Sequence, residues 1–399
     1  MRSRWRSDPV LRAAANGDRV AIHRGDTKAR STESPELMRL RSTTRKIGKH
    51  LLLFCLCLGF GAWAFAELPD SSASPEDGPI PCPPISPSEH PFIQRLGGHA
   101  VPCVALAFSP DGTILAAGSS DGSLSVWNLL AGNPDPAMLH HLSEGPTVGV
   151  AFAPDGSGLV SATASGEIRF WGSPGFDTYG SLLVAAGQLT SLAIHPGGRQ
   201  LVVGTATGEV LCWDLVAGRA TSETPSWRMN VGCGVTAVTY TDEVFPAVWV
   251  GLSDGQLQLW SPNSGTALAS RQTRDGAIVA CQPSGGTSGL LLSASASGEV
   301  AAWDGPSLKC IWDFDSPIRD IAFSRSSGLL LIGAEDGTVS AVEPEGCEFL
   351  GGILRFDTSV TSVDFHPCGK TFACSSTGGQ VVLVDLVLRS NYLESGPAP

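Results

Sequence analysis

The phrase SSDGSLSVW at residues 119–127 returns along the chain, and its return constrains the fold more than any other feature. Further copies are ASGEIRFW (164–171), ATGEVLCW (206–213), SDGQLQLW (253–260) and ASGEVAAW (296–303). EDGTVSAV (335–342) and TGGQVVLV (377–384) are looser versions. The terminal positions are Trp127, Trp171, Trp213, Trp260, Trp303, Val342 and Val384, spaced 39 to 47 residues apart. A unit of that length holds about four short strands and cannot bury its faces alone, so the units must stack on one another.

Each copy has the same internal grammar. Five residues before the terminal position stands glycine in all seven: Gly122, Gly166, Gly208, Gly255, Gly298, Gly337 and Gly379. A tight hairpin with one residue at positive φ demands this. The third and first residues before the terminal position are apolar throughout, from Leu124 and Val126 to Val381 and Leu383. That period of two marks a strand with one buried face, and the terminal residue covers the other. Nine residues before it stands a small side chain in every copy: Gly118, Ala162, Gly204, Gly251, Ala294, Gly333 and Ser375. Small residues suit a strand where neighbouring blades crowd. A second turn precedes most copies: FSPDG (108–112), FAPDG (152–156), IHPGG (194–198), CQPSG (281–285), FSRSSG (323–328) and FHPCG (365–369). Its Pro and Gly predict a turn between two inner strands, and YTDEVF in the fourth unit departs from the pattern.

These features predict an all-β chain: a seven-bladed β-propeller of four-stranded antiparallel blades, preceded by an N-terminal signal or anchor helix and a Pro-rich linker. The period, the turn glycine and the terminal tryptophan together resemble the WD-repeat family over about residues 92–388. The resemblance implies that each unit runs from an outer strand to the Trp-Asp strand, and that a strand from the start of the domain closes the last blade. FIQRL (92–96) beside VVLVDL (381–386) would leave no long exposed edge. The copies are degenerate. Trp-Asp occurs at Trp213-Asp214 and Trp303-Asp304, Gly-His at Gly98-His99, and the turn aspartate at Asp121, Asp254 and Asp336. The family's buried His–Asp–Ser/Thr–Trp network is therefore expected to be mostly missing, with blade one closest to it through His99 and Asp121. Apolar packing is expected to hold the blades.

Residues 51–66, LLLFCLCLGFGAWAFA, carry no charge and follow the basic RSTTRKIGKH. Basic, apolar and small-residue regions in that order make a secretory signal, with Ala64 and Ala66 setting a cut before Glu67. Met38 opens a signal of normal proportions. If translation starts at residue 1 instead, the segment reads as an uncleaved membrane anchor behind a basic cytoplasmic tail of residues 1–50. Both readings place the propeller outside the cytoplasm, exported or anchored by a single span. Eight prolines in residues 67–91 predict a semi-extended linker, and 389–399 form a tail.

Residues 1–66 hold 13 Lys+Arg and 5 Asp+Glu, against 13 and 33 in 67–399. So acidic a domain repels phosphate backbones, and nucleic-acid binding is not expected. A membrane contact is expected only through 51–66, if uncleaved. One Asp per turn does not make a calcium loop. The sialidase-type Asp box fails because Asp and Gly are adjacent here, and the arginines are scattered. WSPNSGTALAS (260–270) and WDLVAGRA (213–220) resemble turns of quinone-dependent propeller dehydrogenases, but such turns are ordinary in WD repeats. His195 and His366 read as turn residues, and the adjacent His140 and His141 would diverge on a strand, so neither a metal nor another cofactor is expected. Nine cysteines follow Ala66. Cys212 and Cys281 read as buried apolar residues, and Cys368 and Cys374 flank one hairpin and are candidates to pair.

No catalytic constellation stands out, so the chain reads as a non-enzymatic scaffold for protein partners. The alternatives are a ligand-binding or enzymatic propeller of sialidase-like or quinone-dependent type, or a cytoplasmic WD-repeat scaffold. Binding candidates by position are Thr190, Thr236, Arg319 and Thr361, just before the apolar cores of the innermost strands. Arg319 is expected to meet an acidic partner group or to neutralise Asp315 or Asp320. Trp227 and Trp312 are candidate anchors if exposed.

Overall fold

A computed structural model of the chain describes residues 80, 82–83, 92–97, 101–131, 136, 138–141, 145–173, 175–184, 187–241, 247–262, 264–274, 276–285, 289–387 and 389–390. The apolar segment 51–66, its cut site, the basic region before it, most of the linker and the end of the tail lie outside the described residues. No helix among the described residues is long and apolar enough to cross a membrane.

Seven antiparallel sheets follow in chain order, each built outward from an innermost strand. Blade 1 is β2–β5 (Cys103–Phe108, Ile114–Ser119, Ser123–Asn128, Met138–His141). Blade 2 is β6–β9 (Thr147–Phe152, Gly158–Thr163, Glu167–Gly172, Thr178–Leu183). Blade 3 is β10–β12 (Leu189–Ile194, Gln200–Thr205, Glu209–Val216) with β14 (Trp227–Asn230) outside, and a two-residue β13 (Arg219–Ala220) also pairs β12. Blade 4 is β15–β18 (Val235–Tyr240, Val248–Leu252, Gln256–Ser261, Thr266–Gln272). Blade 5 is β19–β22 (Ile278–Pro283, Leu291–Ser295, Glu299–Asp304, Ser307–Asp313). Blade 6 is β23–β26 (Ile318–Phe323, Leu330–Ala334, Thr338–Glu343, Glu348–Arg355). Blade 7 is β27–β29 (Val360–Phe365, Thr371–Ser376, Val381–Asp385), closed by β1 (Ile93–Leu96). The register of closure is Ile93 opposite Val384 and Leu96 opposite Val381, so the first described strand completes the last blade as the sequence predicts. Each innermost strand packs on the next, and β27 packs on β2, which makes the ring. The Trp strand proves to be the third of the four, counted from the channel.

The seven hairpin glycines all have φ between 76° and 98°. At Gly337 a side chain would also run into backbone, since a Cβ there would stand 2.7 Å from the Thr358 carbonyl oxygen. Asp121 has a smaller part. Its Oδ1 accepts the Ser123 N–H at 2.9 Å and the Ser123 hydroxyl at 2.6 Å, closing the turn.

The small residue nine places before the terminal position sits where blades touch. A Cβ at Gly251 would stand 2.5 Å from Ile278 Cγ2, and one at Gly333 would stand 2.6 Å from Val360 Cγ1. The partner is the first residue of the next innermost strand. Cys103, Thr147, Leu189, Val235, Ile278, Ile318 and Val360 hold these places and are all at most 2% exposed. Burying an aliphatic side chain contributes roughly 1.5–3 kcal/mol, so the five contacts made by Leu189, Val235, Ile278, Ile318 and Val360 are a large part of what holds the ring together.

The tryptophan hydrogen bonds differ from expectation. Blade one does not keep the Trp–Ser part of the network, because Trp127 Nε1 donates to the Gly97 carbonyl at 3.1 Å. Blades 2 and 5 keep it: Trp171 Nε1 donates to Ser161 Oγ and Trp303 Nε1 to Ser293 Oγ, both at 2.9 Å. The acceptor stands ten residues before the tryptophan, where blade one has Ala117. His99 lies outside the described residues.

The cysteine pairing also differs. Cys368 bonds Cys82 of the linker, with Cα atoms 5.6 Å apart, and Cys374 is a free thiol buried in β28. Pairing within the hairpin fails because β28 points Cys374 into the core. Pro83, beside Cys82, is buried as well. A second disulfide, Cys310–Cys347, ties the outer strand of blade 5 to the last hairpin of blade 6.

Two outcomes test this frame. In urea titrations, Gly122→Val should cost about 2–3 kcal/mol through forbidden backbone geometry, whereas Asp121→Ala should cost about 1 kcal/mol; equal costs would refute the ranking. Cys310→Ser with Cys347→Ser should lose about 2–4 kcal/mol, the range for releasing a loop of this length, and an unchanged midpoint would refute the bridge.

Candidate functional site

The buried first residue of each innermost strand has a geometric consequence. Immediately after it the register to the second strand slips in every blade: between Cys103/Ala105, Thr147/Gly149, Leu189/Ser191, Val235/Ala237, Ile278/Ala280, Ile318/Asp320 and Val360/Ser362. The slipped residues are Val104, Val148, Thr190, Thr236, Val279, Arg319 and Thr361. A bulge leaves its residue outside the ladder and re-aims the side chain. Seven bulges at one level surround one mouth of the channel, here termed the bulge face. The Asp121-type hairpins lie on the same face, as the Ser120 N–H to Pro102 carbonyl bond shows.

All four predicted binding residues are bulge residues, with differing freedom. The Thr190 hydroxyl is buried without a hydrogen-bond partner. Thr236 Oγ1 donates to the Gly251 carbonyl at 3.0 Å. Thr361 Oγ1 bonds the Cys103 carbonyl and lies 2.8 Å from Ser375 Oγ, so it stitches blade 7 to blade 1. Arg319 is exposed and pairs with Glu335 across the neighbouring hairpin at 3.1 Å. It meets neither Asp315 nor Asp320, because Asp320 faces the next blade. Trp227 and Trp312 are not exposed anchors; both are partly buried against blade cores.

Below the bulges, polar side chains bridge the innermost strands. Gln282 Oε1 accepts the Phe323 N–H of blade 6 at 2.8 Å. Asp320 accepts the Ser362 hydroxyl at 2.7 Å and the Val363 N–H at 3.0 Å, from blade 7. Asp364 accepts the Phe108 N–H of blade 1 at 2.9 Å. Desolvation against the channel wall raises both carboxyls, Asp320 to about 6 and Asp364 to about 7, the latter also through the Asp320 charge. These bonds were not found by sequence reading. The available signal was an acid or amide in an otherwise apolar inner strand.

His366 is buried, its Nδ1 accepting the Cys368 N–H at 3.0 Å and its Nε2 lying 2.9 Å from the Gly112 carbonyl. That pattern requires a neutral ring protonated at Nε2, and burial lowers its pKa. His195 accepts the Gly197 N–H in the same way at 2.9 Å. Both are turn residues, as the sequence predicts. Cys212 and Cys281 are buried free thiols, pushed up to about 12 by desolvation. Among the described residues no group of three or more His, Cys, Asp or Glu side chains could hold a metal ion.

Four segments match the family model described as WD domain, G-beta repeat: residues 91–128, 137–172, 308–340 and 352–385. Each begins at or near an outer strand and ends in or near the third strand of the following blade, so the sequence unit is offset from the blade by one strand. No curated protein matches the chain.

The raised carboxyls give a pH signature. Their folded pKa lies above the unfolded value near 4, so their contribution is complete below that pH and is lost as pH rises through about 6 to 7. Asp364→Asn keeps an oxygen for the Phe108 N–H and removes the charge. Its melting temperature should exceed that of the parent protein increasingly between pH 4 and 7; a constant offset would contradict the assignment.

Proposed function

We propose that this chain, which carries WD repeats and folds them into a seven-bladed propeller, is a non-catalytic scaffold for protein partners, presented outside the cytoplasm. WD40 propellers generally serve as protein-interaction scaffolds. The observation that carries the reading for this chain is the ring of bulges. It places Thr190, Thr236, Arg319 and Thr361 around one mouth, where the exposed Arg319 guanidinium is the contact group, and among the described residues no nucleophile–base pair stands beside them.

The partner surface is the bulge face. Asp315, Glu335, Asp336 and Asp357 rim it on blades 6 and 7, so it suits a partner with basic groups there. Arg319 offers a counter-charge within that acidic sector.

Presentation outside the cytoplasm is supported by the signal-like segment 51–66 and by the two disulfides, which persist in oxidising compartments. The linker is tied by Cys82 to the turn after β27, on the face opposite the bulges.

Purified protein used as bait in envelope extracts should capture a specific partner, and Thr190→Arg with Arg319→Glu should lose it while melting normally. Retention of the partner by that variant, or hydrolase or oxidoreductase activity without any partner, would overturn the reading. Sequencing the mature N-terminus should give Glu67 if the signal is cleaved or an intact start if it anchors; an intact protein recovered in the cytosolic fraction would refute export.

A further inference from the structure

The mouth opposite the bulges holds a pocket that the bulge ring does not explain. It is a cavity of about 160 Å³ between the ends of the innermost strands of blades 3 to 6. Ile194, Pro196, Pro283 and Phe323 give it apolar walls, and Gln282 and Arg325 give it its strongest donors. Pockets that enclose a small molecule run to roughly 300–1,000 Å³, so this one is sized for a side chain.

Its charge is unusual for this domain. Residues 67–399 contain 13 basic and 33 acidic residues, yet no carboxylate lines the pocket among the described residues. Arg169, Arg274, Lys309 and Arg319 each meet a carboxylate. Among the described residues Arg325 makes no such pair. Its guanidinium lies against the turn of blade 5, where Gly285 leaves room: a Cβ there would stand 2.5 Å from Arg325 Cζ. Gln282 is oriented by the bond that its Oε1 accepts from the Phe323 N–H at 2.8 Å. The amide nitrogen is therefore left as a donor at the pocket.

We propose that this pocket receives the carboxylate of a glutamate or aspartate side chain from a partner protein. The Arg325 guanidinium binds the carboxylate through charge-assisted hydrogen bonds, and the Gln282 amide donates a further one. The proline and phenylalanine walls cover an apolar residue beside the acid. This site goes beyond the scaffold reading above: it lies on the opposite face and shares no residue with the bulge ring, so either can fail alone.

The test titrates the purified protein with the peptide Ac-Gly-Leu-Glu-Pro-Gly-NH2 and with its glutamine analogue, following the NMR signals of the Arg325 Nε–H and the Gln282 amide. The glutamate peptide should shift both signals saturably and bind about tenfold more tightly than the analogue, as expected for a charge-assisted pair. Added salt should weaken it. Arg325→Gln should abolish the preference with the fold unchanged, and Arg325→Lys should retain part of it. Equal binding of the two peptides, shifts confined to other residues, no shift at all, or a preference that survives Arg325→Gln would each overturn the proposal.

Discussion

Each blade is held by its neighbour through one close contact, a buried side chain pressed against a position that admits only Gly, Ala or Ser. Val235 against Gly204, Ile278 against Gly251 and Val360 against Gly333 are the plainest cases. The rest of the ring follows from this contact. To sink its first residue into the previous blade, an innermost strand must leave the ladder, and the register slips at its second residue. Packing thus produces the bulges, and the bulges produce a rim of side chains at one mouth. The surface proposed to bind partners is a by-product of how the blades are locked together.

The two faces are set apart by polarity and by connection. On one side stand the bulges and hairpins, with Asp315, Glu335, Asp336 and Asp357. On the other are the turns after the innermost strands, where the linker is fixed by Cys82–Cys368 and where Arg325 meets no carboxylate among the described residues. Between them, Gln282, Asp320 and Asp364 each accept a backbone N–H from the next blade. A polar side chain in a narrow channel is costly to desolvate, and these three offset the cost by satisfying N–H groups that would otherwise lack partners.

Much of this was legible in the chain because the repeat obeys steric rules. Gly122 and its six counterparts announce a positive φ, the alternation of Leu124 and Val126 announces a strand, and Gly118 and its counterparts announce crowding. The closing strand at 92–96 was legible because a propeller must remove its open edge. What escaped depends on pairs distant in sequence. Whether Trp127 or Trp171 finds a hydroxyl depends on the residue ten places earlier, Ala117 or Ser161. The partner of Cys368 is 286 residues away, and nothing in the spacing singles out Cys82. Arg319 sits beside Asp320 in sequence but across from Glu335 in space, because a bulge turns neighbours apart. The four candidate positions were placed by their distance from the strand cores, and the bulge at each explains why that distance led to the rim.

The most direct test of the central claim, that the bulge face is where partners dock, is site-specific photo-crosslinking in cells. A photoreactive residue would be placed at Thr190, at Thr236 and, as a control, at the exposed Leu268 on the outer strand of blade 4. The account predicts a discrete protein adduct from the two mouth positions and none from Leu268. Adducts from Leu268 with none from Thr190 or Thr236 would contradict it.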